Sequence, residues 1–352
     1  MNKLTKVGCS ALCGSLAAIS AANAGDLTVT GGADMTWISK GSEVTGNPLG
    51  IGSNTTLNGS GELDNGWTFS LAIANLNTQA FSSAAINLTM GSLGSLNFNQ
   101  GDSGNGIQAI DDKMPTAWEE IHGAGVSTGV RGLVSGVGAS QNVQYTTPTL
   151  YGTTLVIAVA PVMGQADISD KGTGGLTAGA NKAGYDATIN INPSMGTELL
   201  SGLNVFVGGH LGEKHKNNGV NEDAYQATAG VTFDIGPISL GAQKSGEYSG
   251  TETITSPTYH TYLNHTYAVA FNVNDDLSVS WGSMESRKAG YNKSVAQTTN
   301  EEGRRVRVEG VQAAYTMGGA SLRVANVTVD NAFFSTSDSA DRSATVVSLG
   351  LA

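Results

Sequence analysis

Apolar and small polar residues alternate along many short segments of the chain, which is the period expected of a β-strand with two different faces. The clearest examples are GWTFSLAIAN (66–75), NHTYAVAFNV (264–273) and DLSVSWGS (276–283). The polar positions hold Ser, Thr, Asn, Gly and Ala and rarely Lys or Glu, whereas the exposed sheet face of a soluble protein usually carries more charge. A small and neutral second face fits a wall that lines an aqueous lumen.

The connections between these segments alternate between short turns and long loops. Short turns are predicted at 64–66, 91–94, 148–152, 236–237, 274–276 and 317–319, and long polar loops near 40–53, 102–139, 161–182, 211–222, 247–260, 286–303 and 330–341. Outer-membrane barrels have this pattern, because their periplasmic turns are short and their outside loops are longer.

Counting segments of about 9–11 residues gives about sixteen strands. The predicted strands are 26–39, 54–63, 66–76, 83–91, 94–101, 140–147, 151–160, 183–192, 201–210, 223–233, 236–246, 262–273, 276–286, 305–316, 319–328 and 342–351. An even count places both chain ends on the periplasmic side. We therefore predict an all-β fold, a transmembrane antiparallel β-barrel formed as one domain by residues 25–352.

The N-terminus resembles a secretory signal peptide. Lys3 and Lys6 precede an apolar stretch at 7–19, and the Ala-Asn-Ala tripeptide at 22–24 fits the small-residue cleavage pattern. We expect cleavage near Ala24, so that residues 1–24 are removed. The apolar stretch is too short for a transmembrane helix, and no longer one follows. Since only helices and closed barrels satisfy their backbone polar groups in lipid, a membrane location requires the barrel.

Composition narrows the possible partners. The chain has 48 glycines among 352 residues and 13% charged residues, which favours many short strands joined by tight turns. Its formal net charge is −11, and removal of Lys3 and Lys6 leaves 16 basic against 29 acidic side chains. Nucleic-acid binding needs a basic footprint, so it is not expected. Both cysteines, Cys9 and Cys13, lie in the predicted signal peptide, so no disulfide is expected in the mature chain.

Four strand-rich stretches resemble Gram-negative porins. Three are QNVQYTTPTLYGTTLVIAVAP (141–161), AYQATAGVTFDIGPISLGAQ (224–243) and YAVAFNVNDDLSVSWGSMES (267–286). The fourth, VEGVQAAYTMGGASLRVANVTVDN (308–331), is similar to the penultimate hairpin of alphaproteobacterial porins. The resemblance covers essentially the whole mature chain and implies a sixteen-stranded, usually trimeric, water-filled pore whose third outside loop folds into the lumen. The last strand of the family usually ends in Phe, whereas this chain ends in Ala352.

Segment 102–139 interrupts the alternation between the fifth and sixth predicted strands, where the constriction loop of the family belongs. A loop this long is usually functional or disordered. Its apolar residues are too numerous for a disordered loop, so we expect them to pack on the inner wall: Ile107, Ala109, Ile110, Met114, Ala117, Trp118 and Ile121.

The charged residues of this segment and of the opposite wall are the candidate pore-constriction site. The residues in the loop are Asp111, Asp112, Lys113, Trp118, Glu119 and Glu120, and the basic candidates beyond them are Arg131, Arg305, Arg307 and Arg323. Arg323 lies between Leu322 and Val324, so it points into the lumen if those two face lipid. Low-dielectric walls focus the field of such charges, and we predict a mild cation preference.

Two alternatives for the four acidic residues stay open. They could form a solvated loop surface without a role in selection. They could also bind calcium through Asp111, Asp112, Glu119 and Glu120, since carboxylate oxygens suit that ion, although no EF-hand spacing is present. No other cofactor or metal is expected.

Motifs with catalytic associations carry little weight in this Gly- and Ser-rich chain. Residues 125–129 fit G-x-S-x-G, but the strand before and the helix after that a nucleophile elbow needs are not visible. His210 and His215, with Glu213 between them, lie at a predicted strand end, not on a helix as H-E-x-x-H requires. We interpret the histidines as polar rim residues and do not expect an enzyme.

The sequence thus predicts a porin in the outer membrane of a Gram-negative bacterium, which lets small hydrophilic solutes and ions diffuse passively. One alternative is a solute-specific nutrient channel of the same fold, with Trp118 as part of a sugar slide. Another is a secreted β-rich adhesin, although the fixed repeat of a β-solenoid is missing. All ten tyrosines fall from Tyr145 onward, and tyrosine prefers the lipid interface. Strands before residue 102 are therefore candidates for the contact in a homotrimer.

Overall fold

The computed structural model describes residues 27–351 except 80, 167, 174–180, 194–199, 216–221, 251–260, 290–304, 336 and 338–339. The predicted signal peptide and Ala352 lie outside the described residues. The strands are β1 Thr28–Gly41, β2 Leu49–Glu62, β3 Thr68–Leu76, β4 Ser83–Thr89, β5 Ser95–Gln100, β6 Asn142–Thr146, β7 Thr153–Ala160, β8 Asn181–Ile191, β9 Leu203–Lys214, β10 Ala224–Ile235, β11 Ile238–Tyr248, β12 Thr261–Asn272, β13 Leu277–Ala289, β14 Arg305–Met317, β15 Ala320–Asp330 and β16 Arg342–Leu351.

Short 3₁₀ helices occur at Gly91–Leu93, Gly106–Ile110 and Ala332–Phe334. Within the described part of the chain, no helix has the length and apolar composition needed to cross a membrane.

The sixteen strands form one closed antiparallel barrel in which each strand pairs with its neighbours in sequence. The first and last strands close it, with Ala33 opposite Leu351 and Gly41 opposite Ser343. Closure leaves no strand edge unpaired, which is the condition that a sheet must meet to stand in lipid. The predicted all-β barrel of about 16 strands is confirmed, and the closed antiparallel order gives no support to the β-solenoid of an adhesin.

Alternate residues of each strand point to opposite faces of the wall. On β12, the exposed Val269 and Phe271 alternate with the buried Thr266 and Ala268. We call the face of Val269 and Phe271 the apolar face, and the face of Thr266 and Ala268 the second face. Register partners in paired strands share a face, so both faces can be followed round the barrel.

Strand positions agree with the predicted ones except at some ends near long loops. Strand β2 begins at Leu49, five residues before the predicted start, and β9 continues to Lys214. In β2 the extension has a clear cause, since Leu49 and Ile51 pair with Trp37 and Met35 on the apolar face. The intervening glycines hid this alternation in the sequence, because glycine indicates a loop as readily as a small wall residue.

Candidate functional site

Residues 102–139, here called the long loop, connect β5 to β6 and contain no strand. Many of its apolar side chains are buried, as expected from their number: Ile107, Ile110, Ile121, Ala124, Val126, Val134 and Val137. These side chains contact second-face residues of several strands. The loop is therefore held by the barrel wall along much of its length.

One carboxylate of β8 binds both ends of the long loop. Asp186 Oδ2 accepts the N–H of Ile107 at 2.9 Å and the N–H of Val137 at 3.0 Å. Its Oδ1 lies 2.6 Å from Nδ1 of His210 on β9, and the Asp186 side chain is 0% exposed. A charged acceptor makes stronger hydrogen bonds than a neutral one, so this contact fixes the base of the loop.

Two glycines make this approach possible. Gly106 and Gly136 have φ of +57° and +51°, and a Cβ on either would lie 2.0 or 2.2 Å from Asp186 Oδ2. Only glycine offers both the left-handed backbone and the missing side chain at such a position. The attachment of the loop therefore depends on three residues that lie far apart in the sequence, Gly106, Gly136 and Asp186.

Three glutamines of the second face bind the backbone of the long loop. Gln226 Oε1 accepts the N–H groups of Ser135 and Gly136, both at 2.8 Å. Gln243 donates through Nε2 to the carbonyls of residues 110 and 111, and accepts the N–H of residue 113. Gln312 accepts the N–H of residue 119 at 2.9 Å and donates to its carbonyl at 2.7 Å. Each amide replaces the backbone partner that a buried loop would otherwise lack.

The C-terminal half of the loop packs into an apolar cluster. Its buried members are Ile121, Ala124, Val126, Met284, Val306, Val308, Ala325, Val327, Val329, Ala332, Phe334, Ala344 and Val346. Gly310 provides room for the loop, because a Cβ there would lie 2.8 Å from Cδ1 of Ile121. Trp118 is only partly buried and packs against the edge of this cluster.

The predicted acidic residues lie on the part of the loop between these anchors. Asp112 is the most enclosed, with a side chain that is 5% exposed. Its Oδ1 accepts the N–H of Met114 at 2.9 Å, and its Oδ2 lies 3.6 Å from Nδ1 of His122. Burial raises the pKa of Asp112 to about 6, and the charge of Glu120 adds to this effect.

Neighbouring groups titrate away from their ordinary values for the same reason. Burial raises the pKa of Asp111, and the charges of Asp112 and Glu120 raise it further. Burial lowers the pKa of His122, against the opposing effect of Glu120 and Asp111. The loop therefore carries a negative charge that decreases on mild acidification.

The predicted basic residues divide into two groups. Arg323 lies on the second face, and its Nη1 is 2.9 Å from Oδ1 of Asp34 on β1. Burial and the charge of Glu120 raise the pKa of Glu119, and the charge of Arg323 opposes them, so Glu119 and Arg323 lie within electrostatic reach. Arg131 and Lys113 are exposed residues of the loop itself.

Arg305 and Arg307 do not join this group, since the structure places them on the other face of the wall from Arg323. Both lie on the apolar face, while Val306 and Val308 between them are 0% exposed under the long loop. An alternation of arginine and valine would place the arginines on the second face if the valines lay on the apolar face. The loop supplies a second apolar environment on the other side of the wall, and the valines pack there.

The sequence interpretation also missed most of the anchors. The position of His210 at a predicted strand end indicates a polar rim residue, whereas the structure buries this histidine beside Asp186. Asp186 itself could have been noticed as a lone carboxylate in the middle of a neutral strand, where a charge requires a partner. The three glutamines give no comparable signal, because neutral polar residues are normal on a wall of this kind.

The calcium alternative has no ligand set in the described part of the chain. No three carboxylate, imidazole or thiol groups there lie close enough together to share a metal ion. The four loop carboxylates are instead spread along the segment between residues 111 and 120.

No protein-family model and no curated protein sequence matches the chain. Several solved structures do. The anion-selective porin from Comamonas acidovorans matches with a TM-score of 0.60 and 13% identity, over 93% of this chain and 99% of that one. OmpF of Salmonella typhi matches with a TM-score of 0.61 and 12% identity, over 92% and 97%.

A variant of the Rhodopseudomonas blastica porin matches with a TM-score of 0.55 and 12% identity, over 93% of this chain and 99% of that one. All these matches cover nearly the whole barrel, so they concern its architecture and not a local motif. The chain therefore shares the fold of the Gram-negative porins.

Proposed function

We propose that the protein is an outer-membrane porin, a channel for the passive diffusion of small hydrophilic solutes and ions. In this proposal the apolar face meets lipid and the second face encloses water. The long loop lies in the lumen and narrows it. The observation that supports this best is the attachment of one loop to second-face residues of five strands: it makes hydrogen bonds to β8, β10, β11 and β14, and it packs against Phe206 of β9. A single loop can contact strands so widely spread round a closed barrel only from inside the barrel.

We further propose that the loop sets the selectivity of the channel. Asp111, Asp112, Glu119 and Glu120 outnumber the remaining basic candidates on the loop and the second face, which are Lys113, Arg131 and Arg323. In a narrow opening with low-dielectric walls, an excess of one sign concentrates counter-ions. We therefore expect a mild preference for cations. Arg323 opposes this preference, and its contact with Asp34 reduces its own effect.

A solute-specific channel has less support. Its sugar slide would require the face of Trp118 to be available to the solute, and the ring packs against the apolar cluster. Saturation of the conductance by a single solute would favour this alternative. No catalytic role is expected in either case.

A homotrimer in the outer membrane remains part of the proposal. The apolar face of β1 and β2 carries several small residues, including Gly31, Ala33, Ser53 and Thr55. Small residues let neighbouring barrels approach closely. We expect the contact to use these strands, and chemical cross-linking in native membranes should give a three-chain product. Residues 1–24 would direct export and be removed during it, and the mature chain would then insert into the outer membrane.

Swelling of proteoliposomes tests the proposed channel. Vesicles that contain the folded protein are placed in isotonic solutions of neutral sugars of increasing size. We expect rapid swelling with a pentose, slower swelling with a disaccharide, and none with vesicles that contain boiled protein. Vesicles that stay impermeable to every sugar, although the protein is folded and inserted, would contradict the proposal.

A further inference from the structure

Arg305 and Arg307 belong to a row of charged and polar residues on the apolar face. The row crosses five strands through successive register partners: Lys244, His265, Glu285, Arg307 and Asp330. Arg287 and Arg305 pair with each other directly beside it, toward the long-loop end. We call these seven residues the charged row.

The row marks a sharp change in the character of the apolar face. On β13, Leu277, Val279 and Trp281 precede Glu285 and Arg287 on the same face. On β8 and β9, by contrast, the same face stays apolar or small from Tyr185 to Ile191 and from Leu203 to Leu211, and a charge, Glu213, follows only at the long-loop end of β9. A change confined to a few adjacent strands indicates a local requirement and not the general end of the apolar belt.

The height of the charged row within the apolar band decides whether lipid headgroups can contact it. From Leu277 to Glu285 the strand advances about 26 Å at about 3.3 Å per residue. A tilt of about 40° reduces this to roughly 20 Å of height, and the apolar band of such a barrel is about 25 Å tall. Glu285, the middle residue of the row, therefore lies just below the upper limit of the band. Long basic side chains reach the headgroups from that depth by extending along the surface.

The arginines are oriented by carboxylates of the same chain. Arg287 Nε lies 2.8 Å from Glu285 Oε1, and Arg305 Nη1 lies 3.2 Å from Glu285 Oε2. Arg307 contacts Glu309, which also accepts a hydrogen bond from Ser283. Each guanidinium has five N–H donors, so a carboxylate on one nitrogen leaves the planar group able to bind a second anion.

We propose that the charged row binds the phosphate headgroups of lipids in the membrane leaflet at the long-loop end. Lys244, Arg287, Arg305 and Arg307 supply four positive charges against three carboxylates, Glu285, Glu309 and Asp330. This balance is the reverse of that of the whole chain, whose net charge is −11. Arginine forks suit phosphate oxygens, and a phosphate at this depth gives the cations a partner where water is scarce.

This proposal depends on the proposed membrane location, and the experiment separates the two. The folded mature protein in detergent is mixed with phosphatidic acid or phosphatidylcholine, and bound lipids are counted by native mass spectrometry. We expect the wild type to retain phosphatidic acid about tenfold better, the difference that corresponds to one charge-assisted hydrogen bond. The double variant R305Q/R307Q should lose this preference. R305K/R307K should keep part of it.

Controls make each outcome decisive. K171Q removes one positive charge from an exposed loop residue and should retain the preference. K244Q should weaken it, as a milder change at the other end of the row. Mobility of unheated samples on SDS gels shows whether each variant folds. An equal affinity of the wild type for both lipids overturns the inference, and so does an unchanged preference in R305Q/R307Q. A change in the number of chains per particle would instead make the row a contact between copies. Conductance in phosphatidylcholine bilayers separately tests the channel.

Discussion

The two ends of β14 and β15 place their apolar residues on opposite faces. At the short-turn end, the apolar face holds Val311, Ala313, Tyr315, Leu322 and Val324. At the long-loop end, the buried second face holds Val306, Val308, Val327 and Val329, while Arg305 and Arg307 lie on the apolar face. The strands do not slip in register between these ends. What changes is the material that covers the wall, since the long loop packs on one end only.

An apolar position in a barrel strand therefore indicates an apolar neighbour, which is the long loop in one place and, in the proposed membrane location, lipid in another. Arg323 lies at the short-turn end, where the proposed lipid contact would be the apolar environment of the strand, and alternation with Leu322 and Val324 places it on the second face. Arg305 and Arg307 lie where the loop reverses the pattern. The same rule thus succeeds and fails within two paired strands.

Neighbouring residues of β14 provide the largest expected effect. Val308 is 0% exposed under the loop, and the side chain of Arg307 is 56% exposed. V308D buries an uncompensated charge and should destabilise the barrel by about 3–5 kcal/mol. R307V removes a surface ion pair and should change stability by less than about 1 kcal/mol.

Unfolding in urea, followed by gel mobility in detergent, measures both changes. Equal losses of stability in V308D and R307V would show that the long loop does not bury one face of β14 more than the other.

The anchor at Asp186 provides the next effect. D186A leaves the N–H groups of Ile107 and Val137 without their acceptor in a buried place. Loss of hydrogen bonds to a charged group should cost about 2–4 kcal/mol, mainly in the attachment of the loop. We expect faster trypsin cleavage after Lys113. D170N, which changes an exposed aspartate, should cleave like the wild type. Equal cleavage rates in D186A would contradict the assigned anchor.

A smaller effect concerns pH. The pKa of Asp112 is raised to about 6, so this residue is ionised above that pH and neutral below it. The cation preference should therefore increase as the pH rises through about 6, and decrease on acidification. His122 gains no compensating charge at neutral pH, because burial lowers its pKa.

Reversal potentials in a salt gradient, taken at intervals between pH 5 and 8, follow this change. D112N should remove most of the step near pH 6 and leave a flatter profile. A step of the same size in D112N would assign the titration to another group.

The smallest expected effect is that of R323Q. Removal of this charge frees Asp34 and takes away the positive charge that Arg323 sets against Glu119, so cation preference at neutral pH should rise slightly. K171Q, distant from the loop acids in sequence and highly exposed, is the matched control. A shift toward anions in R323Q would contradict the placement of Arg323 beside the acidic residues.

The strands of this fold could be predicted from the sequence because the side chains of each strand alternate between two different faces of the wall over most of its length. Turn residues such as Asn65 and Gly66 then separate one strand from the next. The Gly-rich start of β2 escaped prediction, since its alternation depends only on Leu49 and Ile51.

The candidate site could be predicted only in part. The length and composition of the long loop identify it in the sequence, and its acidic residues are then the direct candidates for the constriction. Its attachment depends on Asp186, Gln243 and Gln312, which are scattered through the chain and come together only in the closed barrel. No local pattern records such long-range contacts, so they require the structure.

Single-channel recording in planar bilayers tests the central claim most directly, namely that the anchored long loop narrows a water-filled barrel. Wild-type protein should give discrete conductance steps. D186A should give larger steps and admit larger neutral polymers, while D170N should match the wild type. Absence of steps from folded, inserted protein would contradict the channel. Identical steps and polymer limits in D186A, despite a released loop, would contradict the role of the loop.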